Sequence, residues 1–308
     1  MWEYGKCGSA EEGKCEKVKI EENEKGVQMV CRGTTAVFCK KTGTLCELKM
    51  SGRTILKGAE AGPRLTCARA FVDNDAWLRD NFYASGLTQL RHHARPLVVE
   101  GNKVKTVVEV TGSKSAGFTH EATWWLDGSD GSLCVSNAVT PHGSMPWSLP
   151  RLGLSLRLDG ALDQVTYYGR GPRENYVDRL TGSFLGLYAS SVKDLAEAYV
   201  RPQDNGYRCD VRWVRFADKD GRGVTCSASE PLFVQALKCD WEGLEFARHR
   251  NGQQRFRVPV PVEDETYLNL DVRQLGLGGA SCGPNPMAKY VFPIEPTVWT
   301  LRLKPDDL

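Results

Sequence analysis

The 308-residue chain lacks most of the patterns that would declare a function at once. It has no Rossmann fingerprint, no P-loop, no internal repeat and no low-complexity tract. No train of βα units runs through it, which excludes a TIM barrel. Its apolar runs are too short to span a bilayer. Forty basic residues meet 38 acidic ones for a net charge of +2. No basic block stands out, so neither nucleic acid nor a membrane surface is an expected partner. The eleven cysteines form no C-x-x-C pair, and His92, His93, His120, His142 and His249 show no ligand spacing with acids or cysteines. No metal site is therefore expected in this chain. A chain this large needs no disulfide staples. The cysteines read as free thiols, small hydrophobes of a reducing compartment. Met1 to Lys6 carry no apolar signal core. The expected location is cytoplasmic, or periplasmic if the chain is cut from a longer precursor.

What is present has a period of two. Leu152, Leu154, Leu156 and Leu158 alternate with Gly153, Ser155 and Arg157, the pattern of a half-buried strand. Val104 to Thr111 is β-branched with interleaved charges. Strands are also expected over Val211–Phe216, Leu232–Leu237, Tyr267–Asp271 and Val298–Leu303. Gly43, the Asp127–Gly131 run and the Asp218–Gly223 run mark hairpin turns. Helix signals are few: Asn74 or Asp75 caps a short helix ending near Ser85-Gly86, and Asp240 caps one or two turns through Leu244 and Phe246. Many short strands with regular turns predict an all-β antiparallel sandwich. The first fourteen residues read as a linker or flexible arm, with one domain over residues 15–308. Trp2, Trp124, Trp125, Trp147, Trp213, Trp241 and Trp299 read as mostly strand and core residues, and His92-His93 as surface.

One loop is too rich in hydrogen-bonding groups for a connector: Tyr167-Tyr168-Gly169-Arg170-Gly171-Pro172-Arg173-Glu174-Asn175-Tyr176-Val177-Asp178-Arg179. It resembles the Y-x-G-x-G-P-x-E-N-Y-P-D-R signature of the last domain of family 2 β-galactosidases. Three further blocks match that domain in order. Phe38 to Leu48 resembles its F-x-K-x-T-G-x-L hairpin. Gly62-Pro63-Arg64-Leu65 with Arg69 to Asp75 resembles G-P-x-L then R-A-P-x-D-N-D. Tyr267 to Asp271, Gln274 and Gly276 to Gly279 resemble Y-L-N-L-D-x-x-Q-x-G-L-G-G. After the signature, Tyr199 to Gly206 is similar to Y-x-x-P-Q-E-N-G. Phe71 and Val177 stand where the family usually has Pro, which frees a backbone N–H at each place.

The resemblance implies a large antiparallel β supersandwich of the galactose mutarotase-like kind, with few short helices. It also implies where the chemistry is absent. Retaining glycosidases need two carboxyls flanking the scissile bond. In this family both are glutamates on a TIM barrel with a magnesium site, so no catalytic residue and no cofactor is expected here. The implied role is a non-catalytic small subunit or C-terminal domain of a β-galactosidase. Its partners would be the catalytic chain or domains and a β-galactoside, with an edge of the sandwich or the Asp73 region as interface. Arg170, Gly171, Glu174, Asn175, Asp178 and Arg179 are expected to form an ordered structural loop, its arginines depressing the carboxylate pKa values and holding them in ion pairs. Asp73, Asn74, Asp75 and Trp77 are candidates for lining the sugar site, against the alternative of a plain helix cap. Ser281 and Cys282 belong to a glycine-rich loop that in some relatives carries a sugar-stacking Trp; the alternative is a simple turn. A mutarotase-like epimerase using His120-Glu121 or His142, and a free-standing carbohydrate-binding module, are the competing readings.

Overall fold

Five strands open the structure, a computed structural model that describes residues 16–253 and 260–306, with side chains undescribed from 248 to 253. The expected arm over residues 1–14, with Trp2, Cys7 and Cys15, and the His249 side chain lie outside the described residues. Lys19–Glu22, Gly26–Cys31, Thr34–Cys39, Thr44–Met50 and Arg53–Lys57 form an antiparallel meander in chain order. The expected Gly43 hairpin joins the third and fourth: its φ is +62°, and Gly43 N donates to Cys39 O at 2.9 Å.

The remaining thirteen strands make one curled sheet with a fork in it. Gly223–Leu237, fifteen residues long, is the stem. One side pairs with Arg208–Ala217, which leads through Gln164–Gly171 to the edge strand Phe184–Ser191. Its other side divides. Val224 to Ala228 pair with Thr297–Pro305, which continues to Leu133–His142, Gly117–Leu126, Lys103–Thr111 and Arg91–Ala94. Phe233 to Leu237 instead pair with Thr266–Gln274, followed by Arg151–Leu158 and Arg64–Thr66. Glu230 and Pro231 lie between the two pairings, where a residue without an N–H removes a ladder bond.

The alternating patterns do what period two demands. Lys103–Thr111 buries every second residue. Leu152, Leu154, Leu156 and Leu158 are all buried in the expected strand. The smaller sheet packs on the larger through one continuous core, with Phe38 edge-on to Trp124 at 5.3 Å between centroids.

The helix after Asp73-Asn74-Asp75 runs Ala76–Ser85 and ends on left-handed Gly86, as the sequence indicates. The one started by Asp240 runs Trp241–Gln253, longer than one or two turns; Asp240 Oδ1 does cap it, accepting from Gly243 N at 2.7 Å. Some tryptophan and histidine assignments need correcting. Trp147 is no core residue but sits in a loop, 70% exposed. Trp241 opens a helix, and Trp125 and Trp213 are half-buried on their strands, which leaves Trp124 and Trp299 as the core indoles among the described residues. His92 is turned inward on its short strand, its Nε2 3.3 Å from Leu65 O, while His93 is exposed. All nine described cysteines are free thiols.

Candidate functional site

The signature loop, the Arg69 to Asp75 segment, the Tyr199 to Gly206 segment and the glycine-rich loop after Gln274 converge on one site. The side chains of the signature loop bond mainly to backbone groups. Asn175 Nδ2 donates to Arg170 O and Arg173 O at 3.1 and 3.0 Å, and its Oδ1 accepts from Cys209 N at 2.8 Å. Glu174 accepts from Gly206 N at 2.7 Å and from the Tyr199 hydroxyl. Asp178 accepts from Leu277 N at 3.0 Å and Gly278 N at 2.8 Å. The expected ion pairs to the loop's own arginines are not what holds these carboxylates. Arg170 instead reaches Asp210 and Ser183 O, and Arg179 reaches Gly278 O. Carboxylates suit backbone N–H donors that a turning loop leaves unpaired.

The two prolines missing from the family pattern leave a visible trace. Phe71 N donates to Glu245 Oε2 at 3.0 Å, and Val177 N donates to Gln274 Oε1 at 2.9 Å. Each freed N–H has found a side-chain acceptor, so neither is buried unpaired.

Asp75 is more than a cap. It stands before the helix without a side-chain bond to the first turn. Its carboxylate faces inward, where Arg69 donates from Nη2 at 2.7 Å and from Nε at 3.2 Å, and Val72 N donates at 3.0 Å. Both side chains are fully buried. From this fork a polar chain runs under the loops. The Arg69 guanidinium lies 5.9 Å from the Tyr176 ring centroid, and Tyr176 OH donates to Asp204 Oδ2 at 3.0 Å. Gln235 Nε2 donates to Asp204 Oδ1 at 2.9 Å, and Arg151 donates to Gln235 Oε1 at 3.3 Å. Tyr207 OH donates to Asp271 at 2.7 Å, with Arg151 3.4 Å from the same oxygen. Burial pushes Asp204 up to about 6, opposed by the charges of Arg69 and Arg151 and by the bonds from Gln235 and Tyr176.

Above this network lies a cleft of about 320 Å³, enough for one sugar ring. Asp73, Asn74, Glu174, Tyr199, Arg179 and Ser281 are among its lining, with Tyr176 and Asp204 at its floor. Asn74 Nδ2 donates to Gly278 O at 2.9 Å, which ties the Asp73 segment to the glycine-rich loop. Asp73 pairs with Arg201 at 2.8 Å. The structure thus brings Asp73, Asn74 and Ser281 together. Asp75 lies beneath them, Trp77 is half-buried outside the cleft lining, and Cys282 is exposed beside Ser281 but does not line it. Sequence reading missed Tyr199, Asp204 and Arg201 as site residues. Their signal was present, since the Tyr199 to Gly206 block is one of the family matches.

Histidine is absent from this lining. His120 is buried elsewhere, 3.0 Å from Asn137 Oδ1, and burial lowers it to about 4. It faces a separate cavity of about 330 Å³ beside His92 and Thr106. His142 ends the strand paired with that of His120 and lies 3.9 Å from Glu109, also away from the cleft.

The family model described as β-galactosidase small chain matches residues 31–303. The chain belongs to the β-galactosidase small chain family. The chain is 31% identical over 254 residues to the β-galactosidase of Lactobacillus delbrueckii subsp. bulgaricus, covering 79% of this chain and 23% of that protein. It is 27% identical over 262 residues to the enzyme of Priestia megaterium, covering 84% of this chain and 24% of the relative. The chain therefore spans about a quarter of the length of these curated relatives. Among solved structures it resembles a galactose mutarotase-like protein from Clostridium acetobutylicum, with TM-score 0.52 and 11% identity, over 96% of this chain and 100% of that one. This likeness shows the supersandwich fold.

Proposed function

We propose that the chain acts as a non-catalytic part of a β-galactosidase, with its cleft completing one wall of a galactoside site beside a catalytic part carried elsewhere. The observation that carries this reading is the state of the cleft's carboxylates. Asp73 is paired with Arg201, Glu174 accepts from Gly206 N and Tyr199, and Asp204 is buried under Tyr176 and Gln235. A retaining glycosidase needs two carboxyls about 5–5.5 Å apart across the scissile bond, one of them free to attack. These three are committed to holding the loops. They suit positioning of a hydroxylated ring, with Asn74, Ser281 and Tyr199 offering neutral donors and acceptors.

On this reading the two reacting glutamates and the magnesium ion belong to the catalytic part, and the ligand is a β-galactoside. The many free thiols favour a reducing compartment such as the cytoplasm; no described helix is long and apolar enough to cross a membrane. The test is direct. The purified chain alone should leave nitrophenyl-galactoside intact, and hydrolysis should appear on adding a catalytic part that lacks this segment. Hydrolysis by the lone chain at enzyme-like rates would sink the proposal. The absence of histidine from the cleft lining counts against mutarotase chemistry at this place. Polarimetry on fresh α-galactose checks that point, with no faster equilibration expected.

A further inference from the structure

Sheet edges are normally blunted by charge, proline or shortness, because a free strand edge recruits other chains. Most edges here follow that rule. Lys19–Glu22 is charged, Arg53–Lys57 carries a cation at each end, Arg91–Ala94 and Val98–Glu100 are short, and Arg64–Thr66 has three residues. Phe184–Ser191 does not follow it. It has eight residues, Phe-Leu-Gly-Leu-Tyr-Ala-Ser-Ser, with no charge and no proline. Among the described residues it pairs with Gln164–Gly171 on one side and with no strand on the other.

Its apolar side chains are turned outward on both faces. Phe184 is 72% exposed and Leu187 65%. On the Leu187 face the apolar surface continues inward across the sheet, since Leu187 stands opposite Tyr168 and Tyr168 opposite Trp213. Leu185, 43% exposed, extends the same face along the strand. An eight-residue ladder template and an apolar row beside it form a combination that soluble monomers seldom leave uncovered.

We propose that Phe184–Ser191 is the edge on which the small chain docks the catalytic part of its β-galactosidase; this rests on the functional reading above. The occupant follows from size. Curated relatives carry about three quarters of their length outside the segment this chain matches. That remainder must bury surface against the sandwich in a stable enzyme, and specific interfaces centre on exposed apolar and aromatic anchors. The edge supplies both the anchors and a row of backbone donors and acceptors. An extended segment of the catalytic part adds to the strand, and its side chains cover Phe184 on one face and Leu187 on the other.

The test uses the full chain with a defined probe. That probe is the β-galactosidase of Lactobacillus delbrueckii subsp. bulgaricus cut off before the segment similar to this chain. Nitrophenyl-galactoside hydrolysis is followed as the chain is titrated in. Phe184→Lys and Leu187→Lys should each raise the concentration for half-maximal activity by about tenfold or more, the size expected of an anchor. Val298→Lys, also at an exposed apolar residue, should leave it unchanged. Circular dichroism melting controls for folding of each variant. Equal restoration by all variants keeps the small-chain reading and overturns the docking edge. Failure of the unsubstituted chain to restore activity counts against the small-chain reading. Sedimentation of the chain alone then tests the other occupant: a monomer is expected, whereas a dimer lost in Leu187→Lys assigns the edge to a second copy and overturns the proposal.

Discussion

Arg69 and Asp75 are six residues apart, fully buried, and joined by two hydrogen bonds. Removing Asp75 takes the bidentate carboxylate from a fully buried Arg69, and breaking such a pair costs about 3–5 kcal/mol. Asp75→Ala should therefore lower unfolding stability in urea by that amount, and a loss under ~1 kcal/mol would show that the fork is dispensable. Asp204 gives a pH signature. Burial raises it to about 6 in the folded chain against an ordinary 3.8. Between pH 4 and 6 the folded state holds the extra proton, so stability falls as pH rises through that window. Asp204→Asn should remove that slope, as read from denaturation midpoints at pH 4, 5 and 6. His120 works in the opposite sense: burial lowers it to about 4 from 6.5, so its stabilising effect is lost as pH falls from 6.5 through 4. Burial also pushes the Cys67 and Cys226 thiols up to about 12. Neither should take up iodoacetamide at pH 8 until the protein unfolds, and labelling of the native protein seen by mass spectrometry would contradict their burial. At this scale the sequence was legible in kind but not in direction. Asp73-Asn74-Asp75 announces a helix start, and the helix is there. Nothing local reveals that Asp75 turns from its own helix towards Arg69, because the turn-back is set by packing against Leu275, whose carbonyl takes a third bond from Arg69 at 3.2 Å.

Glu245 shows how elements are tied to one another. It accepts from Phe71 N at 3.0 Å and from Tyr83 OH at 2.7 Å, so the helix Trp241–Gln253 clamps the segment before Ala76–Ser85 and that helix itself. Glu245→Ala should cost ~2–4 kcal/mol, because the buried Phe71 N–H loses this acceptor and the Tyr83 hydroxyl loses its bond to Glu245. Glu245→Gln, which keeps an acceptor oxygen on the side chain, should lose less than Glu245→Ala. Thermal melting of the two variants reads the difference. Strands that alternate cleanly were legible: Lys103–Thr111 and the Gly43 hairpin lie where period and glycine put them. Phe184–Ser191 was not, because apolar residues occupy both of its faces and the period-two signal cancels. The helix Trp241–Gln253 was underestimated for a related reason, its sequence carrying polar residues around most of its circumference.

For the whole molecule, an all-β antiparallel sandwich followed from counting strands and turns, while the family, and with it the supersandwich, followed from four blocks in order. The fork in the sheet did not. Strand order depends on pairings between segments distant in the chain, and a sequence pattern records which residues are buried, not against which neighbour. The same limit applies to the cleft, whose Asn74 and Gly278 are 204 residues apart yet share a hydrogen bond. One pairing has a consequence for how the protein is made. Thr297–Pro305, the final described strand, lies in the interior of the larger sheet, between Leu133–His142 and the stem strand Gly223–Leu237. A growing chain at the ribosome therefore carries two long unpaired edges until Thr297–Pro305 emerges, and both edges are sticky. Synthesis arrested just before Thr297 should yield a species that binds chaperones and aggregates, whereas release of Thr297–Pro305 should close the sheet in one step. Stalled-chain pelleting assays at successive lengths would show a sharp change there, and a gradual one would mean that the halves fold independently.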